Sequence, residues 1–196
     1  MRLSWSATLS LAGCFVLILG LARTGAQGTA QPAGDQDFVA RAAMSNMVAI
    51  QLGHLATKKA QHADVKQFAQ QTIDDHLKVQ QQLADAAYGA GVRWPKKLDE
   101  SYQQIQQRLS KLSNDQFDRE FMKVMIDRDR DVEQMLAARV TKGGGEDSAR
   151  KKAAGATSDE PTLAAKVNQW VSSTLPEVRA HLKEAEQVLG RLGQAE

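Results

Sequence analysis

The chain has 196 residues, with 25 Lys+Arg against 23 Asp+Glu, 42% hydrophobic and 5% aromatic residues, 14 Gly, 4 Pro and one Cys. That length suits one domain, or one domain with a targeting segment. A single Cys excludes a disulfide scaffold and a four-cysteine zinc site, while the composition excludes collagen-like and wholly disordered chains and favours helix over sheet.

Arg2 supplies a positive charge at the start, residues 7–22 form an almost unbroken apolar stretch, and Thr24-Gly25-Ala26 places small residues after it. Those three parts make a secretory signal peptide, predicted to be cleaved after Ala26. At this length the stretch is marginal for crossing a bilayer, so a retained N-terminal anchor is the alternative. Leu11-Ala12-Gly13-Cys14 also resembles a bacterial lipobox, although the most apolar part, residues 15–21, follows the Cys instead of preceding it. Cleavage removes Arg2, Arg23 and Cys14, so the 25 basic residues fall by two and equal the 23 acidic ones. A net charge of zero argues against nucleic acid as partner, and a Cys-free mature chain suits an oxidising compartment. The expected location is the periplasm or cell envelope, with a protein or envelope partner there. Membrane contact is expected only through the signal anchor or lipid on Cys14.

Residues 27–35 read as a Gly/Gln/Ala/Pro-rich flexible leader. A first helix is predicted over about 37–61, with an inward stripe of mostly small residues (Ala42, Ser45, Ala49, Leu52, Gly53, Ala56) that allows close helix approach. Asp64 is the expected N-cap of a second helix, with Gln67 reaching back in a capping box. That helix runs to about Tyr88 with Val65, Phe68, Ala69, Thr72, Ile73, His76, Val79 and Leu83 at three/four spacing. Gly89, Gly91 and Trp94-Pro95 end it. A short helix over about 100–112 leads to Ser113-Asn114-Asp115-Gln116, another capping box. The third long helix then reaches about Thr141 with Phe117, Phe121, Met122, Met125, Val132 and Leu136 inward. Residues 142–158, with Gly143-Gly144-Gly145 and a Lys/Arg cluster, read as a mobile surface loop. No strand precedes the glycines and no Gly-Lys-Ser/Thr follows, so they are not a phosphate loop. The last helix covers about 161–192, with a kink or restart expected at Pro176. The predicted fold is all-α: an antiparallel four-helix bundle over 36–192, with one short extra helix between helices two and three.

Three polar side chains fall on inward faces. His76 shares one with Thr72, Ile73, Val79 and Leu83, His181 with Val178, Ala185 and Val188, and Asp129 with Met122, Met125, Val132 and Leu136. A carboxylate on an apolar stripe is costly unless paired or bound, and helical bundles build metal sites from His and carboxylates on facing helices. Glu177 and Glu184 flank His181 at i−4 and i+3, on the same face, so the candidate metal ligands are His76, Asp129, His181, Glu177 and Glu184. The alternative is a buried hydrogen-bond or salt-bridge network of His76 or His181 with Asp129 and the neighbouring Arg128. His54 and His62 read as surface or turn residues. The chain has no His-Glu-x-x-His and no Gly-x-Ser-x-Gly, and no catalytic residue is assigned.

Asp37-Phe38-Val39-Ala40-Arg41-Ala42-Ala43, Val65-Lys66-Gln67-Phe68-Ala69 with Asp75-His76, Phe117-Asp118, and Leu175-Pro176 with His181 together resemble the domain-of-unknown-function 4142 family of exported proteins. Members are often labelled predicted outer membrane protein and grouped with ferritin-like folds. The resemblance covers about residues 36–192. It implies a ferritin-like bundle and places the family's inward His positions of helices two and four on His76 and His181. This chain has Ala49 where the family usually has a Glu, and Asp129 where it usually has a His.

Two functions follow as expectations. The first is an exported periplasmic or envelope helical bundle that acts as a binding or structural module, not an enzyme, in envelope stress or homeostasis. The second is a metal-binding redox or storage protein that holds Fe, Mn, Zn or Cu as a divalent ion on the five candidate ligands.

Overall fold

The computed structural model describes residues 34–154 and 161–193, with the backbone alone over 142–154. The expected signal segment 1–26, Cys14, and residues 27–33 of the leader lie outside the described residues. Five helices follow in chain order: α1 Asp35–Lys59, α2 Ala63–Ala86, α3 Glu100–Lys111, α4 Asn114–Ala154 and α5 Leu163–Leu192. No strand occurs among the described residues, and the fold is all-α. The short α3 sits between α2 and α4 in sequence, as expected.

The predicted stripes form the core. All eight inward positions named for α2, from Val65 to Leu83, are buried, as are the six stripe positions of α1. α1 packs along α2 and α4 along α5, while α2 meets α5 and α1 meets α4. The α1–α2 seam is tight enough to require glycine: a Cβ on Gly53 would lie 2.7 Å from Ile73 Cγ1 and 3.1 Å from the Ala69 carbonyl oxygen. Steric contact at that range forces a shift.

The apolar interior is in two clusters. One gathers Leu52, Phe68, Phe117, Phe121, Met122 and Met125 with Val188 and Leu192 of α5. The other gathers Phe38, Val39, Leu83, Leu136, Trp170 and Val171. Between the two lie most of the buried polar residues: Ser45 and Asn46 on α1, Thr72 and His76 on α2, and Arg128 and Asp129 on α4. On α5 His181 lies between Val178 of one cluster and Ala185 of the other. The core is therefore hydrocarbon at both ends with a polar layer between.

Local chemistry sets the helix ends, and three expectations change here. Asp64 is not the cap of α2. The cap is His62, whose Nδ1 accepts from the Asp64 N–H at 3.2 Å, and the Asp64 carboxylate pairs instead with Arg191 Nε at 2.5 Å. The predicted loop over 142–158 is helical as far as Ala154. Each glycine costs a helix about 1 kcal/mol, but the following Glu146, Ala149, Arg150, Lys151, Lys152, Ala153 and Ala154 are strong helix formers. α5 runs through Pro176 without a restart. Pro176 and Ser172, whose carbonyl loses its partner to the proline, are exposed, so water reaches that carbonyl, while burial of Trp170, Val171, Leu175 and Val178 on the other face offsets the lost bond. The start of α5 is as expected, with Thr162 Oγ1 accepting from the Ala165 N–H at 3.2 Å.

The α1–α2 turn is pinned from α4. Asp118 is 1% exposed, and its carboxylate accepts from the backbone N–H of Gln61 at 3.1 Å and of His62 at 2.7 Å. A carboxylate is a strong acceptor for such donors.

Candidate functional site

The polar layer is built on one guanidinium. Spacing of three and four residues from Phe121 and Met125 carries Arg128 onto the inner face of α4, and only 4% of it is exposed. Its Nη1 donates to Asp129 Oδ1, and its Nη2 donates to the Ser45 carbonyl oxygen of α1 at 3.1 Å. Nη2 also lies 3.5 Å from Nε2 of His76 on α2. A guanidinium can only donate, so His76 Nε2 is the acceptor and its single proton sits on Nδ1. That nitrogen donates to Asn46 Oδ1 at 2.9 Å. One arginine thus ties three helices together through groups that each match its chemistry.

The fourth helix enters beside it. The His181 ring stands edge-on to that of His76, with centroids 5.6 Å apart, and also packs on Phe68 at 6.2 Å. His181 Nε2 bonds to Asp75 Oδ2 at 3.1 Å. Asp75 points to α5, away from its neighbour His76, because adjacent helical positions diverge by about 100°. Buried polar atoms with no protein partner include Ser45 Oγ, Asn46 Nδ2, Asp129 Oδ2 and Thr174 Oγ1. All four residues line a cavity of about 20 Å³ whose walls include Val79, Val132, Leu136, Trp170 and Val178. That volume holds about one water, which needs two to four polar partners.

Of the five candidate ligands, His76, Asp129, Glu177 and His181 line this one cavity. Glu177 is exposed at its rim, and Glu184 is not among the lining residues. Among the described residues no group of three or more His, Cys, Asp or Glu is placed to hold a metal ion. The sequence reading named Arg128 only as a possible partner and passed over Asn46. Both lie on inward stripes, Asn46 between Ala42 and Ala49, so the spacing held a signal that their polarity masked.

A family model for a domain of unknown function, DUF4142, matches residues 21–163. The chain belongs to the DUF4142 family. No curated protein and no solved structure matches it. Among the described residues of this DUF4142 protein, no helix is long and apolar enough to cross a membrane.

The electrostatics of the layer follow from its burial. Desolvation, then the charges of Arg128 and His181, hold the His76 imidazole well below its ordinary value of 6.5. Burial pushes the Asp129 carboxyl up, although Arg128 and His181 pull it the other way. Burial also opposes the Asp75 carboxylate, but hydrogen bonds from His181 and Lys78 and the charges of both bring it below its ordinary value. The layer as a whole is a neutral imidazole beside an arginine–aspartate pair.

That neutrality has a consequence for acid stability. The unfolded chain takes up a proton on His76 near 6.5, while the fold resists it. The stability held by neutral His76 is therefore complete above that pH and is lost as the pH falls from it toward the lower folded value. Asp129 acts in the opposite sense, since the folded carboxyl keeps its proton more tightly and gains stability as the pH falls through its raised value. The wild-type melting temperature should fall between about pH 7.5 and 5.5, and His76→Gln should flatten that slope. Equal slopes in both proteins would place the acid sensitivity elsewhere.

Proposed function

We propose that this DUF4142 protein is an exported, non-enzymatic module of the periplasm or cell envelope, built as an antiparallel, ferritin-like four-helix bundle. It binds or braces an envelope partner, in envelope stress or homeostasis. The order of residues supports the bundle geometry. The early residues of α1 and α5 share an apolar cluster with later residues of α2 and α4, which supports α1 and α5 running one way along the bundle and α2 and α4 the other. Export is supported by the basic, apolar and small-residue segments of 1–26 and by the absence of Cys after residue 14.

The observation that carries the structural reading is the placement of Arg128. Its guanidinium engages Asp129 and faces His76, so each of the two groups best suited to an ion already has a cationic partner within the protein. A second reading, a bound divalent metal, is favoured by four of the candidate ligands lining one cavity. The two are separated on tag-free protein recovered from the envelope fraction. Elemental analysis should find no stoichiometric Fe, Mn, Zn or Cu, and neither chelator nor added metal should move the melting temperature. A metal bound only by the native state at a hundred times its dissociation constant would add about 2.7 kcal/mol, a shift that would establish the second reading. Intact mass of the same sample should place the N-terminus after Ala26, and a diacylglyceryl group on Cys14 would replace the soluble form with a lipoprotein.

A further inference from the structure

The donors that would serve an ion in the polar layer already face a cation of the chain's own. Arg128 places Nη1 on Asp129 Oδ1, Nε and Nη2 on the Ser45 carbonyl oxygen at 3.4 and 3.1 Å, and Nη2 at 3.5 Å from His76 Nε2. An imidazole nitrogen, a carboxylate and a backbone carbonyl are donors that divalent ions accept. The imidazole is even oriented as a ligand would be. Asn46 holds the proton on Nδ1 and turns the bare Nε2 toward α4, the arrangement that outer hydrogen bonds impose on metal-bound histidines. With the guanidinium in place, the natural donor set does not fit a metal, because the shared position is filled and the charge is balanced.

We propose that Arg128 is the resident cation of a latent divalent-metal site, standing where His76, Asp129 and the Ser45 carbonyl converge, and that its removal opens that site to an ion. Arg128 and Asp129 together carry no net charge, so an ion entering the intact layer would bring two uncompensated charges into a buried space beside a guanidinium, at a prohibitive desolvation cost. Without the arginine the carboxylate is left buried and unpaired. Asp129 Oδ2, which has no protein partner, becomes a further donor, and the adjoining cavity supplies room for a metal-bound water. The inference rests on the structural reading of the wild-type layer given above.

The test titrates Co2+ into the mature protein labelled with 15N-histidine, comparing wild type, Arg128→Ala and Arg128→Lys. In wild type the His76 ring signals should show a proton on Nδ1 and stay unmoved by Co2+. Arg128→Ala should bind one Co2+ at least about tenfold tighter than wild type, shift the His76 ring signals, and lose both effects when His76→Gln is added. Arg128→Lys keeps a charge in the layer and should bind none. If Arg128→Ala is unfolded without metal, Co2+ should fold it, since an ion bound only by the native state drives folding. An Arg128→Ala protein that neither binds nor is folded by Co2+ overturns the proposal and leaves the structural reading of wild type standing. Co2+ on His76 of wild type overturns both.

Discussion

Replacing Arg128 with leucine should lower the free energy of unfolding by about 3–5 kcal/mol, because it strands a carboxylate in a water-poor interior. Asp129 is 1% exposed and one of its oxygens already lacks a protein partner, so little solvent is at hand to replace the guanidinium. The Ser45 carbonyl and His76 Nε2 lose a donor in the same substitution. Asp129→Ala should cost less, about 2–4 kcal/mol, since the arginine it leaves behind still has those two acceptors. The decisive comparison is Arg128→Leu with Asp129→Leu in one chain. Replacing both members of a buried pair by hydrocarbon is often close to neutral, so the double variant should be more stable than Arg128→Leu alone. Urea denaturation of wild type, Arg128→Leu, Asp129→Leu and the double variant gives the coupling directly. Additive losses would mean that the two side chains do not depend on each other, contrary to the geometry.

Asp118→Ala should cost about 2–4 kcal/mol, through hydrogen bonds from backbone donors to a charged group. The carboxylate closes the turn between α1 and α2 by accepting from Gln61 and His62, and His62 in turn caps α2. Loss of the carboxylate therefore loosens a helix start as well as a turn. Asp118→Asn keeps one oxygen acceptor and should recover roughly half of the loss. Thermal unfolding of the two variants measures the difference, and equal losses would show that charge, not hydrogen bonding, is what the turn requires.

The helices were legible because hydrophobic spacing is a local property. Val65, Phe68, Thr72, Ile73, His76, Val79 and Leu83 recur at three and four, and all are buried on α2. The same spacing carried His76 and Asp129 inward correctly. It also carried Phe121, Met125, Arg128 and Val132 onto one stripe, but an arginine is rarely buried unless paired, and its partners lie on other helices. The pairing of Asp75 with His181 spans 106 residues, and no periodicity reports a contact of that kind. Gly143-Gly144-Gly145 misled for a different reason. Local propensity argues for a break there, while the residues beyond it argue for helix, and the latter prevail as far as Ala154. Residue type suggested Asp64 as a cap, yet the backbone enters α2 two residues sooner and presents His62 instead.

The polar layer also fixes how the rods are aligned along their lengths. Oily side chains alone tolerate slippage, since leucine, valine and methionine substitute for one another at modest cost. Sliding α4 by one turn, about 5.4 Å, would carry the Arg128–Asp129 pair away from the Ser45 carbonyl and His76 and into the apolar cluster of Leu52 and Phe68 or that of Leu83 and Trp170. A buried ion pair at mid-height therefore acts as an index pin: it adds little holding power of its own, but it leaves the helices one longitudinal setting.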